Sequence, residues 1–308
     1  MKTTIPDALK EDMPHTLWGK VLSATPVVMA VVATMLAGLS SSEMTRAQYL
    51  RSLAAQQQSK AGDQWNFFQG KKLRGVVQRG TVDTIAGTSE VGVFDEARLR
   101  QALGANAGVL DSAEGRATIE VLREGEMPRV PIGYVPPVEI AAVLKAVEHA
   151  SPDSEIQALL VAVDDGMLAQ AVKEAQGEAM ALDELTTPIG RTIDAVEREL
   201  VRVAAPATAR RDFAVARLSF HARRYDAEAK LNQRVAELYE LQVRKSNIAA
   251  ERHHIRSQRF FYGMLAAQTA VIVATLAMAA RKRSLLWSIA AVAGVIAVGF
   301  AVYVYLYV

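Results

Sequence analysis

The 308-residue chain has no cysteine, which excludes disulfides, thiol catalysis, iron–sulfur clusters and cysteine-ligated zinc. It also lacks charge in three long stretches: residues 21–39, 260–280 and 284–308 contain no Asp, Glu, Lys or Arg. Phosphate loops, dinucleotide fingerprints, nucleophile elbows and the HExxH zinc motif are all missing. Lys and Arg total 35 against 33 Asp and Glu, and no long basic block breaks that balance, so nucleic acid is not an expected partner. No catalytic, cofactor or metal residues are assigned.

The uncharged stretches are what is there instead. At about 1.5 Å per residue, each spans roughly the 30 Å hydrocarbon core of a bilayer. The expected fold is an all-α membrane protein with three transmembrane helices, at 18–39, 260–280 and 285–308. Trp18 and Lys20 mark the entrance of the first, and the run is longer than a typical signal-peptide core. Phe260, Phe261 and Tyr262 open the second, while Trp287 and Tyr303, Tyr305 and Tyr307 bracket the third. The connection 281–284 begins Arg281-Lys282-Arg283, so the last two spans read as an antiparallel hairpin with a basic loop. The positive-inside rule places that loop and the N-terminal tail, 1–17, in the cytoplasm, and the region between the first two spans outside. Arg252, His253, His254, Arg256, Arg259 and the three loop cations are the expected contacts with lipid headgroups. Gln268 is the notable polar side chain within the spans and is expected to bridge helices or protomers.

Between the membrane segments, 40–78 and 206–259 read as the ascending and descending helices of a long antiparallel stalk. Pro206 suits a first helical turn, and no proline follows it up to residue 280. Phe213, Phe220, Leu231, Leu238, Leu241, Ile248 and Ile255 give an apolar stripe near heptad spacing, interrupted by Arg217, Arg224 and Arg234. Residues 79–205 read as a small helical extramembrane head. A loop is expected over 75–92 with a short strand at 91–94, then helices near 95–103, 112–124, 138–150, 153–163, 166–181 and 188–204. Ser151-Pro152 and Thr187-Pro188 supply start signals, and Asp164-Asp165-Gly166 a turn. Adjacent acids before a glycine suit a turn better than acid–base chemistry. Tyr134, in the proline-rich run 128–137, is a partner contact if exposed and a clamp of that loop if buried.

At 61–72 the chain reads Ala-Gly-Asp-Gln-Trp-Asn-Phe-Phe-Gln-Gly-Lys-Lys. Here it resembles a family of uncharacterised bacterial membrane proteins, a domain of unknown function with an A-x-D-Q-W-x-x-x-Q-x-K motif after its first span. Gly62, Phe67, Phe68 and Gly70 depart from that family's usual residues, and the head has no counterpart in it. The resemblance implies the bacterial inner membrane but no chemistry. From the residues alone, Asp63, Gln64, Trp65, Phe68, Gln69 and Lys72 read as a packing or partner surface. An antiparallel return helix would bring Trp65 and Phe68 to the height of Leu231, Val235 and Leu238. The expected role is a membrane-anchored scaffold or accessory subunit working through stalk and head, as a homo-oligomer or within a membrane-protein complex. The alternative is an oligomeric channel or pore-type effector.

Overall fold

A computed structural model describes residues 17–130, 133–279 and 283–307, with side chains over 24–130, 133–277, 288–303 and at 306. The fold is all-helical, with no strand among the described residues. The helices are α1 (Leu17–Thr88), α2 (Glu96–Leu103), a short 3-10 helix (Gly104–Leu110), α3 (Ala113–Glu124), α4 (Val138–Glu148), α5 (Asp153–Ala162), α6 (Asp165–Arg202), α7 (Ala207–Ala279) and α8 (Arg283–Tyr307). Two compact units result: Met1–Ala54 with Ser246–Val308, and Ala55–Lys245.

In the first unit, α1 and α7 are long and apolar enough to cross a membrane, and α8 is apolar over Ser288–Tyr303, where its side chains are described. Small side chains set their packing. Met29 and Ala33 of α1 are buried against Ala267 and Ala270 of α7 and Ala297 of α8. A Cβ on Gly294 would come within 3.2 Å of the Met29 sulfur, so glycine there permits the close approach. Ser40 and Ser257 exchange hydrogen bonds, each hydroxyl donating to the other's carbonyl at 2.9 and 2.8 Å. The guanidinium of Arg259 lies 5.6 Å from the Tyr303 ring centre, tying α7 to α8.

The second unit is a bundle built on the remainder of α1 and α7. Leu99 and Leu103 of α2, Ile119 and Leu122 of α3, Ile189, Ile193, Val196 and Leu200 of α6, and Phe213 and Phe220 of α7 share one core. The helix ends follow local chemistry. Asp95 caps α2, Ser112 caps α3 and Asp164 caps α6, each side chain accepting a first-turn amide. Asp164-Asp165-Gly166 is thus a helix start, and Asp165 pairs with Lys245 at 2.6 Å. Gly125 ends α3 in the left-handed conformation at φ 71°. Gly115 lies over the 3-10 helix, where a Cβ would stand 2.7 Å from backbone atoms of Leu110.

Several local expectations fail. Residues 75–88 continue α1 instead of forming a loop, and residues 91–94 form no strand. There Thr81, Thr84 and Thr88 return their hydroxyls to the carbonyl four residues back, so the helix satisfies the side chains that argued against it. Helices 166–181 and 188–204 are one helix, α6, with Pro188 inside it. Leu182, Thr186, Ile189, Ile193 and Val196 are buried along it, and that continuous face outweighs one lost backbone bond. Thr187 meets Asp183 and caps nothing. Ser151 is not a cap either, since Pro152 itself occupies that position ahead of α5. Tyr134 is 7% exposed, so it closes its loop and offers no surface to a partner.

Candidate functional site

The motif at 61–72 lies on α1 beside α7, and what joins the two helices there begins with alanine. Ala47, Ala54 and Ala61 of α1 recur every seven residues, and each is 3% exposed or less. On α7, Ala222, Ala229, Ala236 and Ala250 keep the same period and are equally buried. A seam of alanine lets two helices approach closely and leaves longer side chains to flank it. A Cβ on Gly75, fourteen residues beyond Ala61, would meet the Ala222 carbonyl at 3.4 Å, which fixes the facing directly. Leu231 and Leu238, both buried, each stand two residues beyond a seam alanine, ~200° around the helix. The large apolar stripe of α7 therefore serves the bundle, and alanine serves α1. In the sequence the seam shows only as a seven-residue alanine period.

The flanking positions carry the polar chemistry. Trp65 donates its indole N–H to Glu240 Oε1 at 2.7 Å and meets the Phe68 ring edge-on at 5.5 Å. Its polar edge is thus fixed by Glu240. Val235 is buried on α7 nearby in sequence. Lys60 lies over the Tyr239 ring at 5.8 Å. Farther along, Lys71 contacts Glu228, which is 8% exposed and also accepts from Arg224 Nε at 2.6 Å. Arg224 continues to Asp183 of α6 at 3.0 Å. Lys72 and Arg79 both reach Asp226. Gln64 is half-buried, whereas Asp63 and Gln69 are exposed. The sequence singled out Trp65, Phe68 and Lys72. It missed Glu240, which pairs with Trp65, Asp226, which pairs with Lys72, and Glu228, which pairs with Lys71, because charges on α7 look solvated until α1 is laid beside them.

His221 stacks on Tyr225 at 6.2 Å in this region. Burial and the adjacent Arg217 guanidinium hold its imidazole below the ordinary histidine range. Tyr134 is pushed up to about 12 by burial and by Glu174.

Of the expected headgroup contacts, His253 is engaged inside the protein, with Nδ1 2.5 Å from Glu43 Oε2. His254 meets Gln258, Arg259 covers Tyr303, and Arg256 is half-buried, leaving Arg252 exposed. Arg281 and Lys282 lie outside the described residues, as does the side chain of Arg283.

Two of the bundle's open grooves stand out by their volume. One, about 540 Å³, runs past Phe94, Leu99, Asp212 and Phe213. The other, about 590 Å³, has Val121, Pro188 and Ile189 on its floor and Glu114, Glu120 and Glu124 along its rim. Among the described residues no three His, Asp or Glu side chains are grouped to hold a metal ion.

Residues 18–103 match a family described as Domain of unknown function (DUF4337). The matched part runs through most of α1 and ends with α2, so it includes the motif at 61–72 and excludes the C-terminal hairpin. Neither a curated protein nor a solved structure matches the chain.

Proposed function

We propose that the chain is a membrane-anchored helical scaffold or accessory subunit whose contact surface is the face of α1 turned away from α7. One observation carries this reading. In the second unit that face exposes Leu73, Val76 and Val77, each more than half accessible. Beside them Gly62, Gly70 and Gly80 have nothing within 4 Å of where a Cβ would stand. Glycine inside an exposed helix costs about 0.5–1 kcal/mol relative to alanine, and an apolar strip in water is also unfavourable. Both features are explained if another helix packs closely along this face.

The membrane part of the reading rests on the first unit. Val27, Val28, Val31 and Met35 of α1, Ile272 and Leu276 of α7, and Val292, Val295 and Ile296 of α8 are all largely exposed. These are among the most apolar stretches of the chain, and lipid is the solvent that suits them. We take all three helices as spans of a bacterial inner membrane, with the N-terminal tail and the basic loop inside and the second unit outside. The lipid contacts of Arg252 and the loop cations belong to this reading.

Cysteine labelling tests the contact surface, since the chain has no native thiol. In native membranes, Val77→Cys should react with a maleimide at least about tenfold more slowly than an exposed control, Ala113→Cys, and the two should react alike in detergent at high dilution, because a packed face excludes reagent. Equal rates in native membranes would remove the scaffold reading.

A further inference from the structure

Threonines of the apolar stretches satisfy their hydroxyls locally, whereas the Gln268 amide has no partner among the described residues. Thr34, Thr269 and Thr275 each donate to the carbonyl four residues earlier on their own helix. Gln268 has no such outlet. Its side chain is exposed and engages no partner among the described residues. It sits near the middle of the uncharged run 260–280, far from either end. An amide facing hydrocarbon with neither donor nor acceptor used is unfavourable, so any arrangement that pairs it is favoured.

The surroundings of Gln268 point to what pairs it. The side chain lines an open groove of about 460 Å³, whose α1 wall is Ala30, Ala33, Thr34 and Ala37 and whose α7 wall continues through Val271 and Ile272. Small residues along one wall allow a further helix to approach closely. A carboxamide is its own complement, because it holds one acceptor and two N–H donors. Copies of one chain, inserted the same way, carry residue 268 to the same depth. A different partner would need a polar group at that depth by coincidence.

We infer that the Gln268 groove is the contact by which two copies of this chain associate inside the membrane. Each Gln268 amide donates to the amide oxygen of the other, about a two-fold axis along the membrane normal. The inference rests on the membrane reading above and adds to it the identity of one partner, a second copy, and the residue that sets the register. Thr34, across the same groove, is the competing acceptor within one chain.

Ile272 stands one turn from Gln268 and is 61% exposed, so Ile272→Cys reports on this contact, with Val295→Cys on α8 as control. The full-length variants would first be extracted with alkaline carbonate and then oxidised in membranes with copper phenanthroline. Retention in the membrane, with a disulfide dimer at 272 at least about fivefold above that at 295, is expected. Adding Gln268→Leu should lower the 272 dimer by about tenfold, whereas Gln268→Asn should keep most of it, since the shorter amide can still pair. Retention without a dimer at 272, or a dimer indifferent to Gln268→Leu, would overturn the contact and leave the membrane reading standing; the second outcome would also favour the Thr34 bond. Loss of the protein to carbonate would overturn both.

Discussion

Removing the Glu228 carboxylate should unfold much of the second unit's helix pairing. Glu228 is buried between Arg224 and Lys71, and Arg224 also holds Asp183. Glu228→Ala takes away the one anion between two partly buried cations. Breaking a buried pair on one side costs about 3–5 kcal/mol, and the lower end applies here because Asp183 still neutralises part of Arg224. The combined change Lys71→Met, Arg224→Met and Glu228→Leu should recover most of that loss, because an apolar set of similar volume has no desolvation to repay. Hydrogen exchange of α1 and α7 within 55–88 and 210–245, followed on the full chain in detergent, reads the difference. If the single variant exchanges as slowly as the parent, the ion cluster is ornamental. If the triple variant is as weak as the single one, the cluster contributes more than charge neutrality.

The second large effect is expected at Phe220. Its ring is 0% exposed in the core that joins α2, α3, α6 and α7. Phe220→Ala should cost about 3–5 kcal/mol, a transfer loss plus a cavity that the surrounding helices cannot fill. Phe220→Leu should cost much less, since it keeps most of the volume. Urea titration read by protease susceptibility of the second unit separates the two, and equal midpoints for both variants would mean the ring is not packed as described.

The readable parts of the fold were those set by local chemistry. Three uncharged runs needed only composition. The expected helices near 95–103, 112–124 and 166–181 begin where α2, α3 and α6 begin, and Asp95, Ser112 and Asp164 accept first-turn amides there, although Asp164-Asp165-Gly166 read as a turn. What stayed hidden was decided by neighbours. Pro188 and the Thr-rich end of α1 look like interruptions until the buried face of α6 and the i−4 carbonyls are present to compensate. The alanine seam was hidden for another reason: alanine is the best helix former and occurs on every face, so its period carries no local signal. Trp65 was recognisable as a packing residue. Its acceptor, Glu240, lies 175 positions away on another helix.

Under the proposed membrane reading, the side on which the bundle lies is the point on which partner, lipid contact and labelling experiments all depend. Ala113, exposed at the start of α3, is a better label site than its neighbour Ser112, whose hydroxyl caps that helix. Ala113→Cys and Ser284→Cys variants, treated in intact cells with a membrane-impermeant maleimide, give the most direct measurement. Labelling at 113 without labelling at 284, with the protein retained by the membrane, is the predicted result. Labelling at 284 but not at 113 would put the bundle in the cytoplasm and contradict the account.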